Sequence, residues 1–404
     1  MKPNVRIKGY TDAWKRVSLY DCLEISTEVN SHNFYGKNDV LSVSDDYGVV
    51  NQIQHLGRSY AGISVSGYKV LLPGQIVYTK SPLRDKPFGV IKENNYKAGI
   101  VSVLYAVYNA KNGIYSKYIQ RYFDPKDRIN KYLMPLVNKG AKNTMNISDE
   151  MALNGEISIP TDIEEQKSIC DFFDNIDTLI AKASARLASL KQMKESSLQA
   201  MFPQEGEDVP RIRFKGYVDK WKKTLLKDIT YHAGVKNKEN LSLESYSISN
   251  EFGFIPQNVQ FENGGTMSVA DKRMYYIVTP HTFAYNPARI NVGSLGYYDG
   301  NNDVIVSSLY EVFKTSNSIC DKFLLYWFKS NVFRKMIEQY QEGGVRLYFF
   351  YDKLCKCVLK LPCYEEQQVI ASYFIALDHK IALQTKSLEK LKQVKTACLD
   401  KMFV

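Results

Sequence analysis

Two long stretches of the chain show the hydrophobic spacing of helices that pack along one side. Residues 164–201 and 365–402 contain no proline or glycine. Each is therefore predicted to form one uninterrupted helix of about 38 residues, roughly 57 Å long. Apolar side chains recur in alternating steps of four and three, the pattern of a coiled-coil seam. The predicted seam consists of Ile169, Phe173, Ile176, Ile180, Leu187, Leu190, Ile370, Phe374, Leu377, Ile381, Leu388 and Leu391.

Apolar, β-branched runs between polar loops characterise the rest of the chain. Residues 100–108 (IVSVLYAVY) and 305–313 (IVSSLYEVF) are each predicted to form a buried strand. Each run leads into an aromatic segment that we expect to be a short helix. The chain is therefore predicted to have a mixed α/β (α+β) fold.

The two halves of the chain repeat one another. Residues 5–15 (VRIKGYTDAWK) resemble residues 212–222 (IRFKGYVDKWK), and a Glu-Glu-Gln triplet opens both predicted long helices. Both helices also end in Met-Phe. Ordered matches at a nearly constant offset indicate a tandem duplication of a unit of roughly 200 residues.

The repeat divides the chain into four segments. Globular domains are predicted at residues 1–160 and 203–362, and long helices at 161–202 and 363–404. A short polar linker, PQEGEDVP at 203–210, places the second domain at the far end of the first helix. The second helix can then pack on the first only by running back. This predicts an antiparallel, pseudo-twofold pair of helices that separates two similar domains. In the alternative interpretation, each helix packs into the core of its own domain.

The formal net charge of +10 favours an anionic partner, most commonly nucleic acid, over an inert basic surface. The seven cysteines form no CxxC pair. Cys355, Cys357 and Cys363 have no histidine at ligand spacing, so ordinary thiols are favoured over a zinc site. Neither a secretion signal nor an apolar run of ~18 residues occurs. We therefore expect a cytoplasmic protein.

No catalytic machinery is recognisable in the sequence. It contains neither a GxxxxGK[ST] phosphate loop nor a Gly-x-Gly element. The strings nearest to an adenine-methylase motif, DPK at 124–126 and NPAR at 286–289, lack the second proline and the aromatic residue. Pro362-Cys363 stands at a helix start without other cytosine-methylase motifs. We therefore predict no catalytic residue and no bound metal.

The globular segments carry residue types that suit nucleic acid. Arginine fits guanine edges, asparagine fits adenine, and cations hold phosphates. The candidate DNA contacts in glycine- and proline-bounded loops are Arg58, Tyr60, Lys80, Arg84 and Lys86 in the first domain, and Lys236, Lys238, Arg273, Asn286, Arg289, Asn291 and Tyr297 in the second.

The repeated KGY-x-D-x-W-K start of each domain and the repeated Glu-Glu-Gln start of each long helix resemble the specificity subunit of type I restriction-modification enzymes. These enzymes belong to a bacterial defence system. The resemblance spans the whole chain in the order target-recognition domain, helix, target-recognition domain, helix. Residues 343–346 (GGVR) and 140–142 (GAK) also resemble the family's loop before each helix. This adds Lys142 and Arg346 to the candidate DNA contacts.

The resemblance implies a non-catalytic subunit of a methyltransferase complex. Each recognition domain would read one half of a bipartite target in double-stranded DNA. The helices would set the spacer and dock two modification (methyltransferase) subunits, which restriction (ATPase and nuclease) subunits join in the full complex. S-adenosylmethionine and ATP/Mg would bind only to the partner subunits. The alternatives are a specificity subunit of a related non-type-I system, a methylase or nuclease fused to its own reader, and a coiled-coil scaffold that binds protein only.

Overall fold

The computed structural model describes residues 2–83, 85–139, 145–260, 271–344 and 347–404. The chain divides into two compact units. Unit 1 comprises Met1–Ser184 and Ser387–Val404, and unit 2 comprises Ala185–Lys386. Each unit contains a globular part, the first half of one long helix and the end of the other. Both units contain strands and helices, so the predicted mixed fold is confirmed. No helix among the described residues is long and apolar enough to cross a membrane.

Unit 1 is built from short antiparallel strands and a few helices. Its strands are β1 (Lys15–Ser18), β2 (Leu23–Ile25), β3 (Leu41–Ser44), β4 (Gly48–Asn51), β5 (Lys69–Leu71), β6 (Ile76–Tyr78), β7 (Ile91–Glu93), β8 (Gly99–Val101), β9 (Ala106–Ala110), β10 (Asn138–Lys139), β11 (Met145–Asn146) and β12 (Glu156–Ile159). Its helices are α1 (Leu19–Cys22), α2 (Gln52–Leu56), α3 (Ser116–Phe123), α4 (Lys126–Leu133) and the first part of α5 (Ile163–Ala200). The main sheet has the order β2-β9-β6-β7, and β1-β12, β3-β4, β5-β8 and β10-β11 form separate pairs.

Unit 2 repeats this plan. Its strands are β13 (Lys222–Leu225), β14 (Thr230–His232), β15 (Val235–Lys236), β16 (Ser245–Ser249), β17 (Gly253–Pro256), β18 (Tyr276–Val278), β19 (Thr282–Tyr285), β20 (Leu295–Tyr298), β21 (Val304–Val306), β22 (Glu311–Thr315) and β23 (Val358–Leu361). Its helices are α6 (Gln257–Gln260), α7 (Asp321–Trp327), α8 (Asn331–Tyr340), α9 (Tyr351–Leu354) and the first part of α10 (Tyr364–Lys401). The sheet β14-β22-β19-β20 matches the main sheet of unit 1, and a second sheet has the order β15-β18-β21-β16-β17. The duplication read from the sequence therefore extends to the topology.

Each apolar run that was predicted to be one strand is two strands in the structure. In unit 1 the chain turns between β8 and β9, and the amide of Tyr105 donates to the carbonyl of Ser102 at 3.0 Å. The equivalent turn in unit 2 joins β21 to β22. At the tip of these turns Leu104 is 67% exposed and Leu309 is 74% exposed. The prediction of a single strand was wrong because the strands on both sides of the turn are buried, and a continuous apolar run does not reveal the break.

The two long helices run antiparallel, as predicted. In unit 1 the end of α10 lies beside the start of α5, where Lys395 Nζ is 2.6 Å from Asp177 Oδ1. In unit 2 the end of α5 lies beside the start of α10, where Lys194 Nζ is 2.5 Å from Asp378 Oδ1. Both helices begin and end one residue earlier than the predicted ranges.

The predicted seam side chains are all buried or half-buried. The first of them do more than join two helices, however. Ile169 and Phe173 belong to the core of the unit 1 globular part, and Ile370 and Phe374 belong to that of unit 2. The alternative interpretation therefore holds for the first turns of each helix, because the sheet and the short helices of each unit cover the buried side of those turns.

Candidate nucleic-acid interface

The motifs shared by the two halves fasten each long helix to its globular part. The Arg6 guanidinium donates twice to the carboxylate of Glu165, at 2.7 and 2.8 Å. In unit 2, Arg213 donates twice to Glu366 at 2.7 Å. Both carboxylates are buried, so this two-point contact compensates their loss of hydration. The repeated arginine and the second glutamate of the triplet therefore have a structural role.

The glutamine of the Glu-Glu-Gln triplet has a similar role. The Gln166 side-chain oxygen accepts the amide of Tyr115 at 2.8 Å, at the start of α3. The Gln367 side-chain oxygen accepts the amide of Cys320 at 2.8 Å, at the start of α7. Each glutamine also donates to the carbonyl of the proline before its helix. DNA contacts must therefore be sought in the loops, where the two units differ.

Arg58 and Tyr60 form an exposed pair in the loop after α2. The Arg58 guanidinium lies 4.5 Å from the centroid of the Tyr60 ring, and both side chains are exposed. A cation stacked on an aromatic ring offers a positive charge and a flat apolar face together. These two candidates are therefore brought together in a form that suits contact with a nucleotide.

The ammonium groups of Lys80 and Lys86 form ion pairs within unit 1. Lys80 pairs with Asp149, a carboxylate that it shares with Lys69. Lys86 is only 5% exposed, and its Nζ donates to Asp45 Oδ1 at 2.7 Å. Burial favours a raised pKa for Asp149, but the hydrogen bonds and charges of the two lysines outweigh it and lower that pKa. The structure therefore argues against Lys80 and Lys86 as DNA contacts, because each already neutralises a partly buried carboxylate.

Three candidates in unit 2 lie at one end of the five-stranded sheet. Lys236 Nζ is 3.6 Å from the centroid of the Tyr276 ring and donates to the carbonyl of Met274 at 2.9 Å. Lys238 follows β15, and Arg273 precedes β18, the strand paired with β15. Lys238 and Arg273 are exposed. This end of the sheet therefore presents clustered positive charge.

The connection between β19 and β20 carries the other candidates of unit 2. Arg289 and Asn291 are exposed there. The side chain of Asn286 instead accepts the amide of Ala288 at 3.0 Å and so shapes the loop. Arg289 and Asn291 remain available as polar contacts.

The Tyr297 hydroxyl is held inside unit 2. It donates to Asp321 Oδ2 at 2.8 Å and lies 2.7 Å from His281 Nδ1. Burial and the hydrogen bond to Asp321 raise the pKa of Tyr297. These contacts argue against the hydroxyl as a DNA contact. The candidates Arg84, Lys142 and Arg346 lie outside the described residues.

A further repeat that the sequence reasoning missed places an aromatic side chain at the same hairpin tip in each unit. Residues 42–48 (SVSDDYG) and 247–253 (SISNEFG) form the β3–β4 and β16–β17 turns. Tyr47 is 70% exposed and Phe252 is 69% exposed. The match could have been found by aligning the two halves at the offset already established by their other motifs.

The comparisons with known proteins agree with this architecture. Residues 219–393 match the family described as the type I restriction modification DNA specificity domain. Over these residues the match bears out the resemblance inferred from the repeated motifs. No curated protein matches the chain.

Solved structures of specificity subunits share the fold over nearly the whole chain. The HsdS subunit from Thermoanaerobacter tengcongensis is 16% identical with a TM-score of 0.52, and the match covers 98% of each chain. The S subunit of a type I restriction-modification system from M. genitalium is 12% identical with a TM-score of 0.56, over 100% of this chain and 99% of that one. A chain from a structure of type I R-M complex assembly and conformational transition is 16% identical with a TM-score of 0.54, over 97% and 98%. At these identities the likeness establishes a shared fold.

Proposed function

We propose that the chain is the sequence-specific DNA-binding specificity subunit of a type I restriction-modification complex. The family of residues 219–393, the fold shared along the chain and the net charge of +10 support this proposal. Each unit would bind one half of a bipartite site in double-stranded DNA. The second unit would not repeat the sequence preference of the first, because their loops differ.

One observation carries the proposal: the two units share the arginine–glutamate contact that holds a long helix, but their loops differ. Both units use the same arginine–glutamate contact to hold a long helix. Their exposed polar side chains are different: Arg58 stacks on Tyr60 in unit 1, whereas Arg289 and Asn291 lie in the β19–β20 loop of unit 2. Two scaffolds of one design with unlike loops suit a protein that reads two different short sequences.

The long helices would set the spacer between the half-sites and dock two modification subunits. Several apolar side chains on them are exposed, among them Leu179 and Met193 on α5 and Leu383 and Val394 on α10. Exposed apolar side chains on a helix supply contact area for a protein partner. Restriction subunits would join the full complex through the same assembly.

The chain itself would not catalyse a reaction. Its sequence lacks the phosphate and cofactor loops that a methylase or an ATPase uses. S-adenosylmethionine and ATP with Mg²⁺ would therefore be bound by the modification and restriction subunits. The purified chain would contradict this part of the proposal if it showed methylase, nuclease or ATPase activity. That activity would have to persist when the genes of likely contaminating enzymes are mutated.

The decisive experiment is to express the chain with its modification subunit and to map methylated adenines in the genome at base resolution. We expect two short half-sites separated by a spacer of fixed length and undefined sequence. Methylation without sequence preference would contradict the proposal. Bipartite methylation without ATP-dependent cleavage by the full complex would favour a related non-type-I system. A gel shift at two salt concentrations tests the protein-binding scaffold, which would bind no DNA.

A further inference from the structure

A cleft in unit 2 lies among four elements. Its walls are the turn between α7 and α8, the β19–β20 loop, the tip of the β16–β17 hairpin and the last turns of α5. The side chains that matter for its chemistry are Lys194, Asn250, Phe252, Asn291, Lys329 and Arg334.

Two of the cations in this cleft have no ion-pair partner among the residues that the structure describes. Lys194 pairs with Asp378. Lys329 and Arg334 are exposed and form no ion pair with any residue in the described ranges. Lys329 Nζ instead lies 5.4 Å from the centroid of the Tyr326 ring. The lining also contains an exposed carboxylate, Glu251, which likewise forms no ion pair within those ranges.

Unit 1 provides an internal comparison, because the same elements are present there with different charges. Asp124 follows α3 at the position where Lys329 follows α7. Asp45 occupies the hairpin position that Asn250 occupies in unit 2. Unit 1 therefore has carboxylates at the two positions where unit 2 has an ammonium group and an amide.

The carboxylates of unit 1 are closed into an ion-pair network. Lys86 Nζ lies 2.7 Å from Asp45 Oδ1, and Lys92 Nζ lies 3.2 Å from both Asp45 Oδ1 and Asp124 Oδ1. Both lysines are buried. At the strand position of Lys92, unit 2 has Gly296, so that strand supplies no ammonium group there. The network is neutralised internally in unit 1, whereas the equivalent region of unit 2 has two cations, Lys329 and Arg334, without an ion pair among the described residues.

We propose that this cleft of unit 2 binds a phosphate group of the DNA backbone through Lys329 and Arg334, and that unit 1 has no equivalent site. The proposal rests on the proposed DNA-binding function. Cations hold phosphate oxygens, and asparagine amides such as that of Asn291 can donate to phosphate or sugar. The exposed ring of Phe252 at the rim offers an apolar surface to the sugar or base beside that phosphate. Such a contact fixes the position of unit 2 on the duplex without reading its sequence.

The test is the salt dependence of DNA binding by the full chain. A Lys329→Gln/Arg334→Gln variant and the wild type are titrated with a fluorescent duplex of random sequence, between about 50 and 200 mM salt. Removing one phosphate contact should reduce the magnitude of the slope of log K against log salt by about 0.9, so the double variant, which loses the cations that hold a single phosphate, should lose about 0.9. Over that fourfold range of salt, the wild type should lose roughly threefold to fourfold more affinity than the variant.

The matched control is Lys335→Gln, an exposed residue that also lies on α8 but lines a different groove. It removes the same charge as Lys329→Gln and should leave the slope near that of the wild type. A Lys329→Arg/Arg334→Lys variant keeps both charges and should also keep the slope. This conservative variant makes the test valid even if the glutamine variant melts at a lower temperature.

The outcomes separate the two proposals. A wild-type chain that binds no duplex would contradict the proposed function itself. Normal wild-type binding with an unchanged slope in the double variant would overturn only the phosphate site. So would an equal loss in the Lys335→Gln control, since the effect would then be one of general charge. Binding of inorganic phosphate that depends on Lys329 but is unaffected by saturating duplex would assign the cleft to a free anion instead.

Discussion

Phe403 provides the sharpest test of how the end of α10 is held in unit 1. The side chain is 5% exposed. Its ring centroid lies 5.5 Å from that of Tyr118 and 5.9 Å from those of Tyr122 and Phe173, with the last pair stacked. The Tyr118 hydroxyl donates to the carbonyl of Ser158 at 3.0 Å, which prevents this ring from moving into a vacated space. Phe403→Ala should therefore leave a cavity that does not collapse.

The expected cost follows from this packing. Truncation of a buried phenylalanine to alanine costs about 3–5 kcal/mol, and the cost rises with the cavity that remains. We place Phe403→Ala near 4 kcal/mol, because its neighbours are aromatic and anchored. The stacked and edge-on packing of the Phe403 ring, which the truncation removes, contributes to that value. At about 1.4 kcal/mol for each tenfold change, the opening of unit 1 should become roughly a thousandfold more frequent.

Hydrogen exchange resolved by peptide is the appropriate measurement, because a chain of two compact units need not unfold in one step. Protection of the α3 amides in unit 1 should fall, whereas that of the α7 amides in unit 2 should not. The matched variant is Phe202→Ala. Phe202 is fully buried in unit 2 and stacks on Phe374 at 6.2 Å, so its loss should give the converse pattern. A loss below about 1 kcal/mol for Phe403→Ala, or equal changes in both units, would refute the reasoning.

Four further predictions follow from named contacts. Arg289→Ala should weaken binding only to the half-site read by unit 2, by ~1–3 kcal/mol if Arg289 contacts guanine. An equal loss of affinity for all DNA sequences, with a weaker salt dependence of binding, would instead identify a phosphate contact. The pKa of Asp149 is lowered in the folded chain, so the ionised group stabilises the fold above its unfolded pKa of about 3.9. This stabilisation is lost as the pH falls through the folded pKa. Asp149→Asn should therefore flatten the acid side of a plot of melting temperature against pH. The amide of Val5 donates to the carbonyl of Lys401 at 3.1 Å, so a circular permutant opened in the 203–210 linker should fold and give the same methylation map, and failure to fold would count against it. A heptad inserted after Ala183 lengthens α5 by roughly 10 Å. It should widen the spacer in the methylation map by up to about three base pairs without changing either half-site. An unchanged spacer with full activity would show that the helices do not set the spacer length.

The long helices and the duplication were predictable because their signals are local or repeated. An uninterrupted apolar period fixes a helix to within one residue at each end, and the Glu-Glu-Gln triplet identifies its first turn. The function of that triplet was not predictable from sequence. Arg6 and Glu165 are 159 residues apart, and only the folded chain shows that they form one contact.

The candidate DNA contacts show the limit of residue type as a guide. In the sequence, Lys86 and Arg58 are similar: each is a cation in a loop of unit 1. The structure separates them, because Lys86 donates to Asp45, 41 residues away, whereas Arg58 remains exposed. A cation becomes available to DNA only when no carboxylate reaches it, and that depends on tertiary contacts that no loop composition specifies.

The duplication itself allows structural and functional positions to be separated within one chain. Positions at which both units have the same residue and the same contact, such as Arg6 and Arg213, are required by the shared scaffold. Positions at which the charge reverses, such as Asp124 and Lys329, are tolerated by that scaffold with either sign. The scaffold therefore does not determine the sign of the charge there. Differences of this kind are where we expect the two units to differ in their contacts with DNA, and a survey of the paired positions is a more direct guide to those contacts than net charge or residue type.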